Sequence, residues 1–182
     1  MNVKHQALTL LCGLILAAPA LAAPPASLLN SPVEASYLVN QFKTSDLYGA
    51  WGITALEDDE EPYAFTLIQI LLPNQKGLFV TRIQDRKTKQ EEGSSQYFTW
   101  DFNQQTQMFT VHTHQIVSTK TGQPTQIEAV DLVEDGPISL YKDGKKPIAI
   151  KLQDTDPKIV LLKIDDQTVP ELFKQAEQGR QR

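Results

Sequence analysis

Across residues 49–165 the apolar side chains of this chain recur at every second position, in short runs broken by turn formers. Phe98, Trp100 and Phe102 share one parity, as do Ile148, Ile150 and Leu152, and again Val160, Leu162 and Ile164. A period of two sends alternate side chains to opposite faces of a strand. Such runs fit antiparallel sheet with one face in a core and the other in water. Residues 49–56, 63–72, 77–85, 96–102, 108–119, 125–134, 138–142, 147–153 and 158–165 read as strands. Turn chemistry separates them, notably at 73–77, 121–124, Asp135-Gly136-Pro137, Asp143-Gly144 and 154–157. Asp143-Gly144 is the signature of a two-residue hairpin. Residues 63–72 are apolar on both parities, so both faces of that strand are expected to be covered.

Short links make each strand the expected neighbour of the next. An open sheet of this size leaves two unpaired edges, and closure removes them. The expected fold is all-β, an antiparallel meander closing into an eight- or nine-stranded barrel. A two-sheet sandwich is the alternative.

Helices are expected at both ends of the meander. Ser31-Pro32-Val33-Glu34 has the residues of a capping box, and Tyr37, Leu38, Gln41 and Phe42 follow at helical spacing, giving a helix over 32–43. Thr168-Val169-Pro170-Glu171 repeats the start signal, and Val169, Leu172, Phe173 and Ala176 form an apolar stripe on a helix over 169–178. Residues 1–22 have the pattern of a secretory signal peptide: Lys4 and His5, an apolar stretch over 7–16, then Ala20-Leu21-Ala22. Pro19, Pro24 and Pro25 break the stretch too early for a span of ~20 apolar residues. The expected organisation is a signal peptide over 1–22, a flexible lead-in over 23–30 and one barrel domain over 31–182. The expected location is the periplasm or outside the cell, with no stable membrane insertion after cleavage. Cleavage after Ala22 removes Cys12, the only cysteine, and with it any disulfide or thiol chemistry.

Asp46-Leu47-Tyr48-Gly49-Ala50-Trp51 resembles the G-x-W signature that opens the first strand of lipocalins and their calycin-type relatives. A short helix before Gly49, about eight strands and a late helix are similar to that family too. The resemblance implies that Trp51 plugs the closed end of the barrel against a basic residue of the last strand, here Lys163. It makes Gly49 and Trp51 structural. It also implies a carrier of small hydrophobic molecules, the role that dominates the family.

Charge and motifs limit the other functions. Seventeen Lys and Arg against 22 Asp and Glu give a net charge of −5 with no basic stripe, so nucleic acid is not an expected partner. His112 and His114 leave the same face of a strand, a spacing that suits one Zn²⁺ or Cu²⁺ if Asp101 or Asp131 supplies a third ligand. On the other reading they belong to a polar strand face in water. The acidic run 57–61 lacks the glycine and ligand spacing of a calcium loop and reads as a solvated connection at a barrel mouth. There is no G-x-S-x-G, no G-x-G-x-x-G and no phosphate loop, so neither an enzyme nor a cofactor is expected.

Two binding roles are left. In one, the barrel holds a small hydrophobic molecule lined by Phe65, Phe79, Tyr97, Phe98, Trp100 and Phe109. In the other, a filled barrel binds a second envelope or secreted protein, as an adaptor, inhibitor or chaperone would. Strand edges or the double-faced stretch 63–72 would then be the docking surface.

Overall fold

The computed structural model describes residues 35–55, 62–152 and 159–179. The expected signal peptide, lead-in, acidic run, 154–157 turn and terminal arginines lie outside these residues. The described strands are β1 (Leu38–Val39), β2 (Gly49–Ala55), β3 (Tyr63–Leu71), β4 (Lys76–Asp85) and β5 (Glu91–Asn103). They continue with β6 (Met108–Lys120), β7 (Gln126–Asp143), β8 (Lys146–Leu152) and β9 (Ile159–Ile164). From β2 to β9 each strand pairs antiparallel with the next, and β9 returns to β2, so eight strands close into a barrel. The small strand β1 adds to β7 beside the ring.

Alternation sorts most buried side chains into two cores, with a small third cluster of Tyr141, Ala149 and Val160 on β7, β8 and β9. Trp51, Ile53, Phe65, Leu67, Phe79, Phe98 and Leu140 point into the barrel and pack together. The opposite parity of β2, β3 and β4, including Ala50, Ile68, Ile70, Leu78 and Val80, forms an outer core with Tyr97 and Val117. Helix α1 (Pro170–Gln178) covers it with Leu172, Phe173 and Ala176. A nine-residue helix is too short to persist alone in water, so this apolar stripe is what holds it. Residues 63–72 are apolar on both parities because one face lines the barrel and the other lies beneath α1.

Three local expectations are corrected. First, the described part of 32–43 is not a helix: Ala35–Tyr37 is a single 3-10 turn, and Leu38 and Val39 pair with Tyr141 and Leu140 of β7. Phe42 then turns inward and stacks on Phe102, ring centroids 4.8 Å apart. An isolated helix of this length is marginal, whereas the β7 edge and the interior offer backbone bonds and burial on different sides of the segment. A second 3-10 turn, Thr44–Leu47, leads into β2, with Asp46 bonded to Lys142 of β7 at 2.8 Å.

Second, Asp135-Gly136-Pro137 is not a turn. Strand β7 runs through it, with Gly136 opposite Phe109 and Pro137 opposite Met108. The Ile138 N–H donates to the Gln107 carbonyl on the β6 side, so the nitrogen of Pro137 faces the other edge and no ladder bond is lost. Here β7 leaves β6 and takes β8, pairing Ile138 with Leu152. Third, α1 starts at Pro170 with Val169 as N-cap and no side-chain cap, so the expected capping box does not form. Thr168 bonds back to the Asp165 carbonyl instead.

Candidate functional site

One end of the barrel is plugged. Gly49 has φ +109°, and a Cβ there would run into Lys163 Nζ and lie 2.9 Å from Asp166 Oδ1, so only glycine fits. This tight entry places Trp51 across the barrel floor, fully buried. Its Nε1 donates to the Leu47 carbonyl at 2.7 Å. Lys163 Nζ sits 4.6 Å from the Trp51 ring centroid, donates to the Tyr48 carbonyl at 2.8 Å and lies 3.7 Å from Asp166. Burial lowers the Lys163 pKa, and Asp166 offsets part of that shift. Asp166 also accepts the Ala50 N–H at 3.1 Å, tying the residues after β9 to β2.

The six expected ligand-binding aromatics do not share one surface. Phe65, Phe79, Phe98, Trp100 and Phe109 lie in the interior cluster. Tyr97 faces outward and packs in the core beneath α1. Trp100 Nε1 donates to the Lys76 carbonyl, and its ring tilts against Phe109 at 5.7 Å, so both belong to the packed closed half. Phe65 lies farther up, opposite Ile83.

The other end has a divided lining. Ile53, Phe65, Leu67 and half-buried Ile83 give an apolar wall on β2, β3 and β4. Next round the ring from β4, the inward positions of β5 and β6 above Phe98 are Gln96, Ser94 and Glu92, with Ser118 and Lys120 beside the last two. Thr81 Oγ1 and Ser94 Oγ are 3.0 Å apart, and Lys120 pairs with Glu92. Gln69, Gln96 and Thr113 are buried polar side chains, and Gln69 Oε1 has no hydrogen-bond partner. A cleft of about 250 Å³ opens at the rim, lined by Tyr63, Ile83, Asp85, Gln90, Glu91, Glu92, Lys120 and Thr121. The N–H of Thr88, and after it that of Lys87, holds the Asp85 carboxyl below its ordinary pKa and fixes the β4–β5 turn at that rim.

Alternation and turn chemistry in the sequence begin this strand at Gln96, whereas β5 begins at Glu91, and the polar wall lies in the difference. Carrying the parity of Phe98 back through Gln96, Ser94 and Glu92 would have found it.

His112 and His114 stand on the outer face of β6, ring centroids 5.9 Å apart and edge to face. His112 Nε2 lies 2.6 Å from Asp131 Oδ1, whereas Asp101 bonds to Gln75 at 3.4 Å. Among the described residues no three His, Cys, Asp or Glu side chains are placed to hold a metal ion. The histidines sit as a polar pair tied to Asp131. Burial, then the neighbouring His112, lowers the His114 pKa.

Set against family models, curated proteins and solved structures, the chain matches none of them.

Proposed function

We propose that this chain is an exported, lipocalin-like binding protein that carries a small hydrophobic molecule with a polar end. The observation that supports this reading is the divided lining above a plugged floor. The cleft lies at the rim of β3 to β6, where Tyr63 and half-buried Ile83 meet Glu92, Lys120 and other polar side chains, above the apolar cluster that holds Ile53, Phe65 and Leu67. Binding sites commonly combine apolar surface with a few placed polar groups, and barrels of this strand number hold one small ligand. The cleft, at about 250 Å³, lies below the ~300–1,000 Å³ of drug-sized sites, so the ligand is small or inserts only one end. The Gly49, Trp51 and Lys163 arrangement is what the lipocalin resemblance implied for the closed end, and it supports that kinship. No nucleophile–base pair or phosphate loop is legible in the sequence, so the reading is of a binder rather than an enzyme.

The full chain, expressed with its own leader in a bacterial host, is purified from the periplasm and weighed by native mass spectrometry. The expected result is a small molecule retained at one per chain and released by organic solvent. Ile83→Lys, which sets a cation into the apolar wall at a half-buried position, is expected to abolish retention in a protein that still melts cooperatively. A stoichiometric protein in place of the small molecule, or equal retention by Ile83→Lys, overturns the reading.

A further inference from the structure

Above Ile138, strand β7 has β6 as its one neighbour among the described strands. Residues 126–137 pair with β6, and Leu152, the last described residue of β8, pairs with Ile138. Among the described residues no strand pairs with the second edge of 126–137.

Lysine and proline are common guards of a strand edge, and 126–136 contains neither. Its defences are a bulge opposite His114, where the register shifts, and the exposed acids Glu128, Asp131 and Asp135, of which Asp131 is tied to His112. The most exposed large apolar side chains among the described residues stand on the same strand, Ile127 at 58% and Val133 at 63%. Two copies pairing antiparallel along this edge would set acids against acids, which disfavours a homodimer.

We propose that the upper half of β7 is a strand-addition site for an extended segment of another protein in which basic residues alternate with apolar ones. Main-chain bonds to the open edge supply affinity. Lysines or arginines answer the acidic side chains, and the apolar residues cover Ile127 and Val133. The site stands apart from the barrel interior and does not depend on the ligand reading.

The direction of the backbone supplies a specific test. The Ile138 N–H points to β6, so by alternation the N–H of Val133 points to the open edge. Val133→Pro therefore removes an outward donor and an exposed side chain without breaking the β6 ladder. The probe is a fluorescent ten-residue peptide alternating lysine and valine, with an alternating glutamate–valine peptide and a backbone N-methylated lysine–valine peptide as controls. Anisotropy is read at low and at physiological salt. The expected result is binding of the unmodified basic peptide alone, weakened at least tenfold by Val133→Pro. If Val133→Pro fails to fold, Asp135→Lys with Glu128→Lys is expected to give the same loss through charge. Equal binding of the N-methylated peptide overturns the proposal in favour of plain charge attraction. No binding at low salt overturns it outright. A dimer in sedimentation that Val133→Pro dissolves overturns it in favour of a second copy of the chain.

Discussion

The contact between Trp51 and Lys163 yields a quantitative test of the closed end. Trp51→Ala would leave a void costing about 3–5 kcal/mol, a large part of the ~5–15 kcal/mol typical of a domain. Trp51→Leu is the usable change, because it keeps apolar bulk across the floor and removes the ring that faces Lys163. It removes the donor to the Leu47 carbonyl, which is held in a fully buried residue, and it trims apolar area. An orphaned buried acceptor costs about 1–3 kcal/mol, so a total of about 2–4 kcal/mol is expected. Lys163→Met keeps the stem and removes the charge. It loses the bond to the Tyr48 carbonyl but also the burial of a cation that the fold already disfavours. Its net cost is therefore expected to be smaller, about 1 kcal/mol. An ammonium 4.6 Å from a ring centroid is within cation–π range, for which a coupling of about 0.5–2 kcal/mol is expected. Urea melts of the wild type, both single variants and the double variant, followed by far-UV circular dichroism, give that coupling directly. A coupling below about 0.3 kcal/mol, the scatter of independent sites, refutes the contact.

Other outcomes follow from individual residues. Gly77→Ala places a methyl group where the Phe98 ring lies, and a loss of about 1–3 kcal/mol in the same melts is expected. Gln69→Met removes the unpartnered Oε1 while keeping length and is expected to raise stability by about 1 kcal/mol; a loss instead means that this atom has a partner in solution. Removing 169–182 uncovers Ile68, Ile70, Leu78 and Val80, so the shortened chain should bind an apolar dye and aggregate in light scattering. His114 has a folded pKa below its ordinary 6.5, so the unfolded chain takes up that proton first. The stability this residue contributes is present above pH 6.5 and is lost as pH falls through the folded value, and His114→Asn should flatten the slope seen in melts taken across that range.

Strand positions were legible because parity and turn chemistry agree along most of the chain. The ends of β2, β3 and β4 fall within a residue of where alternation places them. Local chemistry misled at Asp135-Gly136-Pro137, where three turn formers lie within a continuous strand because Pro137 faces an edge that β6 does not use. It misled again at Tyr37 to Phe42, where helical spacing is overridden by pairing with β7 and stacking on Phe102. Parity alone would have separated Tyr97 from Phe98, since neighbours on a strand cannot share a face. The bulge at His114 is different. It turns Ile116, Ser118 and Lys120 inward against the phase set by Val111 and Thr113, and nothing in the composition of β6 announces it. Most of the polar wall lies beyond that phase shift or before the start assigned to β5, so the mouth was the least legible part of the site.

The barrel is sealed by three residue pairs, Ala50 with Ile164, Trp51 with Lys163 and Gly52 with Leu162. The hydrogen bond from Ala50 to Asp166 beside them spans 116 residues. Closing a loop of that length costs about 4 kcal/mol in chain entropy against about 1 kcal/mol for a four-residue hairpin, apart from a constant common to both. The successive hairpins from β2 to β8 can therefore form early from neighbours in the chain, while the β2–β9 seam waits for the whole meander. Contacts made after the rate-limiting step affect the rate of escape from the native state rather than the rate of arrival. Gly49, Trp51, Lys163 and Asp166 thus set how long a folded molecule lasts. Changes there should shorten its lifetime severalfold or more and leave the speed of folding nearly untouched.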